Sequence, residues 1–243
     1  MRDMMPLVTI LCAMRAEANP IIARLGLRPA GPGWDARLPM RCWSHPSETV
    51  TLVINGTDSR TGVDLIGTTP ATLATQVIVH HQRPAAILVA GAAGGRSGRT
   101  EIGRVHLVDR AFHHDRRIPL PGFESYGIGP EPLHHTTALA EACGVSVATI
   151  STGNALDTLD AELAFFDHRA VTLKDMETAS IAWTAGLTGT RVMALRSVTD
   201  FFDHPSPQEQ FLANFDAAVT SLAASVERGL GAILDDCASR AGS

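Results

Sequence analysis

Short runs rich in Val, Ile, Leu and Thr punctuate the chain at Val8 to Met14, Thr49 to Ile54, Ala85 to Ala90, Val105 to Val108, Val145 to Thr149, Ala170 to Leu173 and Val192 to Val198. Several are continuous rather than alternating, the pattern of strands covered on both faces. Between them lie stretches with helical spacing at Glu17 to Leu25, Val63 to His81, Thr136 to Cys143, Leu156 to Phe166 and Met176 to Ala185, and a long amphipathic stretch runs from Gln208 to about Asp236. Alternating strands and helices need crossover connections, so the pattern predicts a layered α/β fold around a mostly parallel sheet. A length of 243 residues needs no more than one domain, spanning 1–243. Gly31 to Gly33 and Pro119 to Pro132 read as irregular; the second is too long for an ordinary connection and is expected to be a functional or interface loop.

Composition excludes several classes of function. Hydrophobic residues make up 45% and charged residues 19%, and no uncharged apolar run reaches the ~18 residues of a bilayer span, so a soluble protein without a membrane partner is expected. The net charge of −5 comes with no block of basic residues, which argues against nucleic acid. Pro6 to Met14 follows Arg2 as a secretory leader would, but Asp3 cancels the positive start and no clean cleavage site follows, so a first buried strand is the better reading. Cys12, Cys42, Cys143 and Cys237 are widely spaced without CxxC pairing, which fits reduced thiols and a cytoplasmic location rather than disulfides or a zinc site.

Acidic residues stand directly after the strand-like runs: Glu17 after the first, Asp175 and Glu177 after Ala170 to Leu173, and Asp200 after Val192 to Thr199. In an open α/β sheet the carboxyl ends of the strands face one crevice, so these carboxylates are expected to share a pocket. Asp175 has a second reading, as the cap of a helix beginning near Met176. The run Ile87 to Gly95 places Gly91, Gly94 and Gly95 just past a strand, where a ligand could approach the backbone, although its spacing is not GxGxxG. No phosphate-binding GxxxxGK(S/T), no GxSxG and no HExxH occurs. The pairs His80-His81, His113-His114 and His134-His135 diverge on a strand or helix, so no metal is expected.

Six segments in order resemble the 5′-methylthioadenosine nucleosidases of the purine nucleoside phosphorylase superfamily, plant-type enzymes above all. They are Ala13 to Pro20 (AMRAEANP), Val89 to Gly95 (VAGAAGG), His114 to Pro121 (HDRRIPLP), Ser151 to Asn154 (STGN), Thr172 to Glu177 (TLKDME) and Ser197 to Asp200 (SVTD). The resemblance implies a single α/β domain around a mixed, partly barrel-like sheet, assembled as a homodimer, that cleaves the adenine–ribose bond of a nucleoside with water and no cofactor. At the matching positions Asp200 would protonate adenine N7 and Glu17 would activate water. Glu177, with the Met176 backbone, would hold the ribose hydroxyls. Leu156 and Asp157 would bind the base, Phe211 would border the 5′-alkylthio pocket, and the loop from His114 to Pro121 would complete that pocket across the dimer. Phe211 could equally be helix packing.

The family pattern is not matched everywhere. Ala92 stands where relatives carry Ser or Thr, a lost hydroxyl worth about 0.5–1.5 kcal/mol. Asn154 replaces an Asp at a position expected to be structural, and Val89 stands where hexameric phosphorylases carry a phosphate-binding Arg, which favours hydrolysis. Open alternatives are another hydrolase of the superfamily, such as a futalosine hydrolase, and a non-catalytic nucleoside-binding or storage relative. The 5′ substituent and the pathway, methionine salvage among others, also stay open.

Overall fold

The computed structural model describes residues 8–32 and 34–241; the leader-like start at Arg2 and Asp3, and Gly33 of the first irregular segment, lie outside the described residues. β1 (Val8–Cys12) leads to α1 (Arg15–Leu25) and then to β2 (Arg28–Pro32), β3 (Arg41–Ser44) and β4 (Val50–Ile54). α2 (Thr68–His81) crosses to β5 (Ala86–Gly95) and β6 (Val105–His113), followed by α3 (Glu124–Ile128) and the two-residue β7 (Glu131–Pro132). Then come α4 (Thr137–Cys143), β8 (Ser146–Thr152), α5 (Asp160–His168), β9 (Leu173–Asp175), α6 (Thr178–Gly186), β10 (Arg191–Phe201) and α7 (Pro207–Ala241).

The ten strands among the described residues belong to one mixed sheet, ordered β10-β6-β8-β9-β5-β1-β4-β3-β2, with β7 on β6 and an extra pairing between β10 and β5. That pairing closes β5, β10, β6, β8 and β9 into a ring, so one half of the sheet is barrel-like and the other an open wing. β5 is the shared stave, bonded in parallel to β1 and β10 and antiparallel to β9. The sheet is less parallel than the strand–helix alternation predicts, because the β2–β3–β4 wing and the β6–β10 pair run antiparallel.

Every residue of β1 and β4 is buried, and the alternation of side chains sorts them into two cores. Val8, Ile10, Leu52, Leu88 and Ala90 face α1, α4 and α7. Leu11, Val53, Ile87 and Val89 face α2 and α6. α7 contains a segment, Pro207–Ser239, whose best window reaches a mean hydropathy of 1.2 and is long and apolar enough to cross a membrane; 44% of that window is buried inside the protein. Leu222, Ala223, Val226, Ile233 and Cys237 are in the first core, so α7 is a core helix whose apolar face covers the sheet.

Three helices begin later than their apolar spacing predicts: α2 at Thr68 instead of Val63, α5 at Asp160 instead of Leu156, and α6 at Thr178 instead of Met176. Gly67, at φ +97°, ends the loop before α2 in a conformation costly for a side chain. β2 and β3 occupy a region without a strand-like run, and Gly31 sits at a register shift in that hairpin. The long segment from Pro119 to Pro132 holds α3 and β7, with Leu120, Phe123 and Tyr126 exposed.

Asn154 ties two of these loops together. Its Oδ1 accepts from the Thr68 N–H at 2.9 Å and the Thr68 hydroxyl at 3.0 Å, capping α2, while its N–H and Nδ2 donate to Asp115 at 3.0 and 3.1 Å. Asn154→Ala is expected to cost about 1–2 kcal/mol and to lower the melting temperature by about 2–8 °C, read by scanning calorimetry.

Candidate active site

At the carboxyl ends of β1, β5, β9 and β10 lies a cavity of about 280 Å³. Its lining includes Glu17, Ala92, Leu156, Met176, Glu177, Asp200 and Phe211, together with Met14, Ile66, Lys174, Asp175 and Phe202. Seven of the nine residues singled out from sequence therefore share one space. Asp157 and His114 are not among those that line it. The Asp157 backbone carbonyl accepts from Lys174 just behind the lining. His114 is buried within its own chain, edge-on to Phe166, with Nδ1 at 3.0 Å from the Ser151 hydroxyl.

Arg196 organises the acids. It stands in β10 with 1% of its surface exposed, and its guanidinium pairs with Asp175 and, at 3.4 Å, with Glu177. The guanidinium also donates to the Ala92 carbonyl at 3.2 Å and to the Thr178 hydroxyl. Asp175 accepts the Thr178 N–H at 2.9 Å, so it serves the first turn of α6 as the helix-cap reading expects, while also pairing with Arg196. Arg196 has no role in the sequence reading, yet a lone cation in the apolar run Val192 to Val198 was a readable sign of buried counter-charges.

Glu17 projects from the first turn of α1, and each carboxylate oxygen is held by a backbone N–H: Ala92 at 2.8 Å and Met14 at 2.9 Å. Burial pushes its proton affinity up, opposed by Arg196 and by those N–H groups. Glu177 accepts the Gly67 N–H at 2.9 Å, and burial raises its pKa to about 7 despite Arg196. Asp200 is raised by burial as well, against the Thr199 hydroxyl at 2.7 Å and the charge of Lys174. A register shift between Val198 and Asp200 on β5 aims this acid at the cavity.

The glycines lie inside β5, not beyond it. A Cβ on Gly91 would stand 2.4 Å from Arg196 Nη1 and 2.7 Å from Glu17 Oε1, and one on Gly94 would stand 3.0 Å from Asp200 Oδ2. Their missing side chains make room for the protein's own charged groups. Ala92, between them, serves through its backbone: its N–H goes to Glu17 and its carbonyl to Arg196. Val89 is buried in the apolar core against α2 and α6.

The phosphorylase superfamily profile matches residues 8–230. The chain belongs to the phosphorylase superfamily. Within that superfamily it is 34% identical to a 5′-methylthioadenosine nucleosidase of Arabidopsis thaliana over 224 residues, 88% of this chain and 82% of the relative. It is 31% identical over 241 residues to a 5′-methylthioadenosine/S-adenosylhomocysteine nucleosidase of the same plant, covering 96% and 93%. The apo structure of Arabidopsis 5′-methylthioadenosine nucleosidase superposes with a TM-score of 0.90 at 32% identity, over 96% of this chain and 99% of the other. Futalosine hydrolase of Helicobacter pylori, at 18% identity and a TM-score of 0.74, shares the fold.

The raised proton affinity of Glu177 links protonation to stability. Its ordinary value is 4.5 and its value in the fold about 7, so the folded chain holds the extra proton between them. That contribution is complete below about 4.5 and is lost as pH rises through about 7. Glu177→Gln cannot ionise and can still accept the Gly67 N–H. Its melting temperature is expected to gain on the parent protein steadily from pH 5 to pH 8; a difference that stays flat with pH contradicts the assignment.

Proposed function

We propose that this protein is a nucleosidase that hydrolyses the N-glycosidic bond of 5′-methylthioadenosine to adenine and the 5-thioribose product. The carrying observation is the gathering of Glu17, Glu177 and Asp200 in one cavity of a chain whose fold superposes on that of Arabidopsis 5′-methylthioadenosine nucleosidase. One Arabidopsis relative carries 5′-methylthioadenosine alone in its name and the other adds S-adenosylhomocysteine, which makes the first the leading substrate and the second the one to compare with it.

Departure of adenine leaves an oxocarbenium-like sugar, so the site needs an acid at the base and a carboxylate for water on the opposite face, as in O-glycoside hydrolysis. Asp200 fits the acid. Burial favours its neutral form, and among its own hydrogen bonds it accepts one hydroxyl, from Thr199. Glu17 fits the base, because burial raises its proton affinity and suits it to take a proton, while the Arg196 charge and N–H donors on both oxygens oppose that shift and favour the carboxylate. Burial raises the proton affinity of both acids, and their hydrogen-bond partners separate the roles: a single hydroxyl donor at Asp200 against two backbone N–H donors at Glu17. In the reaction the Asp200 proton moves to N7 as the bond from C1′ to N9 breaks. Water then adds to C1′ and gives its proton to Glu17. Glu177, anchored through Gly67, takes the ribose hydroxyls beside Met176, and Leu156 and Phe211 form apolar walls.

A spectrophotometric adenine-release assay tests this reading. Release from 5′-methylthioadenosine is expected with no dependence on phosphate, and Asp200→Asn and Glu17→Gln are each expected to slow it by about 10²–10⁴-fold. Phosphate dependence would make the enzyme a phosphorylase, and full activity of both variants would remove the mechanism.

The same reading includes a homodimer in the cytoplasm that serves methionine salvage. Four free, buried cysteines suit a reducing compartment. Exposed Phe123 and Tyr126 meet edge-to-face with ring centroids 6.2 Å apart, exposed Leu120 precedes them in the same turn, and Arg116 lies over both the Tyr126 and Trp183 rings. This is a patch suited to a second copy. Light scattering is expected to return twice the chain mass for the parent protein and the single-chain mass for Phe123→Glu/Tyr126→Glu.

A further inference from the structure

Lys174 has no part in the mechanism above, yet it is a lysine with 4% exposure on the wall of the cavity. Lysines are almost never buried without a specific partner. Its three donors are all spent on one loop: Nζ donates to the Leu156 carbonyl at 3.1 Å, to the Asp157 carbonyl, and to the Thr158 hydroxyl at 2.9 Å. That loop carries Leu156 into the cavity and precedes α5.

The sheet sets Lys174 beside the acid. Gly94 of β5 is the register partner of Lys174 on β9 and of Asp200 on β10, so the three positions form one row across the barrel. Residues in register point to the same face, and the central position has no side chain to separate the outer two. The ammonium therefore acts on Asp200 through its field, its hydrogen bonds being committed elsewhere. The other charged groups facing it are Glu162 of α5, Asp157 of the loop and His114 at the end of β6.

We propose that Lys174 is a positioning residue for base release, fixing the 156–158 loop against the base and stabilising the carboxylate that Asp200 becomes when it gives up its proton. The proposal rests on the nucleosidase reading and names a residue that tunes it. Burial alone would make Asp200 hold its proton too firmly to be a good donor. A cation two strands away, across Gly94, offsets that, and the direction of its effect on Asp200 is downward. One side chain thus couples the placement of the base to the strength of the acid that protonates it.

The test compares Lys174→Met and Lys174→Arg with the parent protein, after thermal melts have shown that each variant folds. Activity requires protonated Asp200, so it falls as pH rises through the pKa of that acid. In Lys174→Met the alkaline limb of the kcat profile for 5′-methylthioadenosine is expected to move up by about half a unit to one unit, and KM to rise several-fold. Lys174→Arg is expected to keep the limb in place. Independently of turnover, amide exchange over residues 155–159 of the ligand-free protein is expected to accelerate in Lys174→Met. An unmoved limb together with unchanged exchange overturns the proposal. A parent protein that releases no adenine overturns the nucleosidase reading instead, and exchange over 155–159 then decides the tether alone.

Discussion

A single guanidinium, buried where β10 pairs with β5, is the constraint around which the site is arranged. Arg196 pairs with Asp175 and Glu177 and lies against Glu17 above Gly91. Truncating one partner of such a buried charge cluster typically costs about 3–5 kcal/mol, because the remaining charges lose their compensation. Of the carboxyls around this permanent cation, Glu17 and Glu177 have their proton affinity raised, by burial first of all. The raised affinity of Glu177 follows first from exclusion of water and then from the neighbouring charges of Asp175 and Glu17, against Arg196. Burial and neighbouring charge thus set the proton affinities of the acids before any ligand arrives.

The backbone makes this crowding possible. β5 bonds to three strands and carries glycines where the charged groups close in, while a register shift on β10 sets the direction of Asp200. Glycine inside a strand ordinarily weakens it. Here the ladders to β1, β9 and β10 hold the strand, and the missing side chains become the volume occupied by Arg196, Glu17 and Asp200.

Much of the architecture was legible in the sequence because parallel interior strands must be apolar on both faces. β1, β4, the start of β5 and β10 announce themselves as unbroken runs, and the acids that follow them mark the crevice. β2 and β3 were invisible for a converse reason. An antiparallel wing needs little more than backbone partners, and Arg28–Pro32 contains two prolines and a glycine. The helix starts assigned too early share one cause: Ile66, Leu156 and Met176 are apolar like helix faces but line the cavity as loop residues. Periodicity cannot distinguish an apolar residue facing a core from one facing a ligand. Arg196 and Lys174 escaped because a cation's role depends on which strands the topology makes neighbours, and the closure of β5 onto β10 and β9 is not written in local pattern.

The cavity is built from two kinds of material. Ala92, Lys174, Asp175 and Asp200 belong to strands of the closed ring, whereas Met14, Ile66, Leu156 and Phe211 come from loops and from the first turns of α7. Substitutions in the second group can reshape the space for a substituent while the charged frame on the strands keeps its spacing. Descendants of such a scaffold are thus free to diversify in which molecules they accept long before they lose the reaction itself.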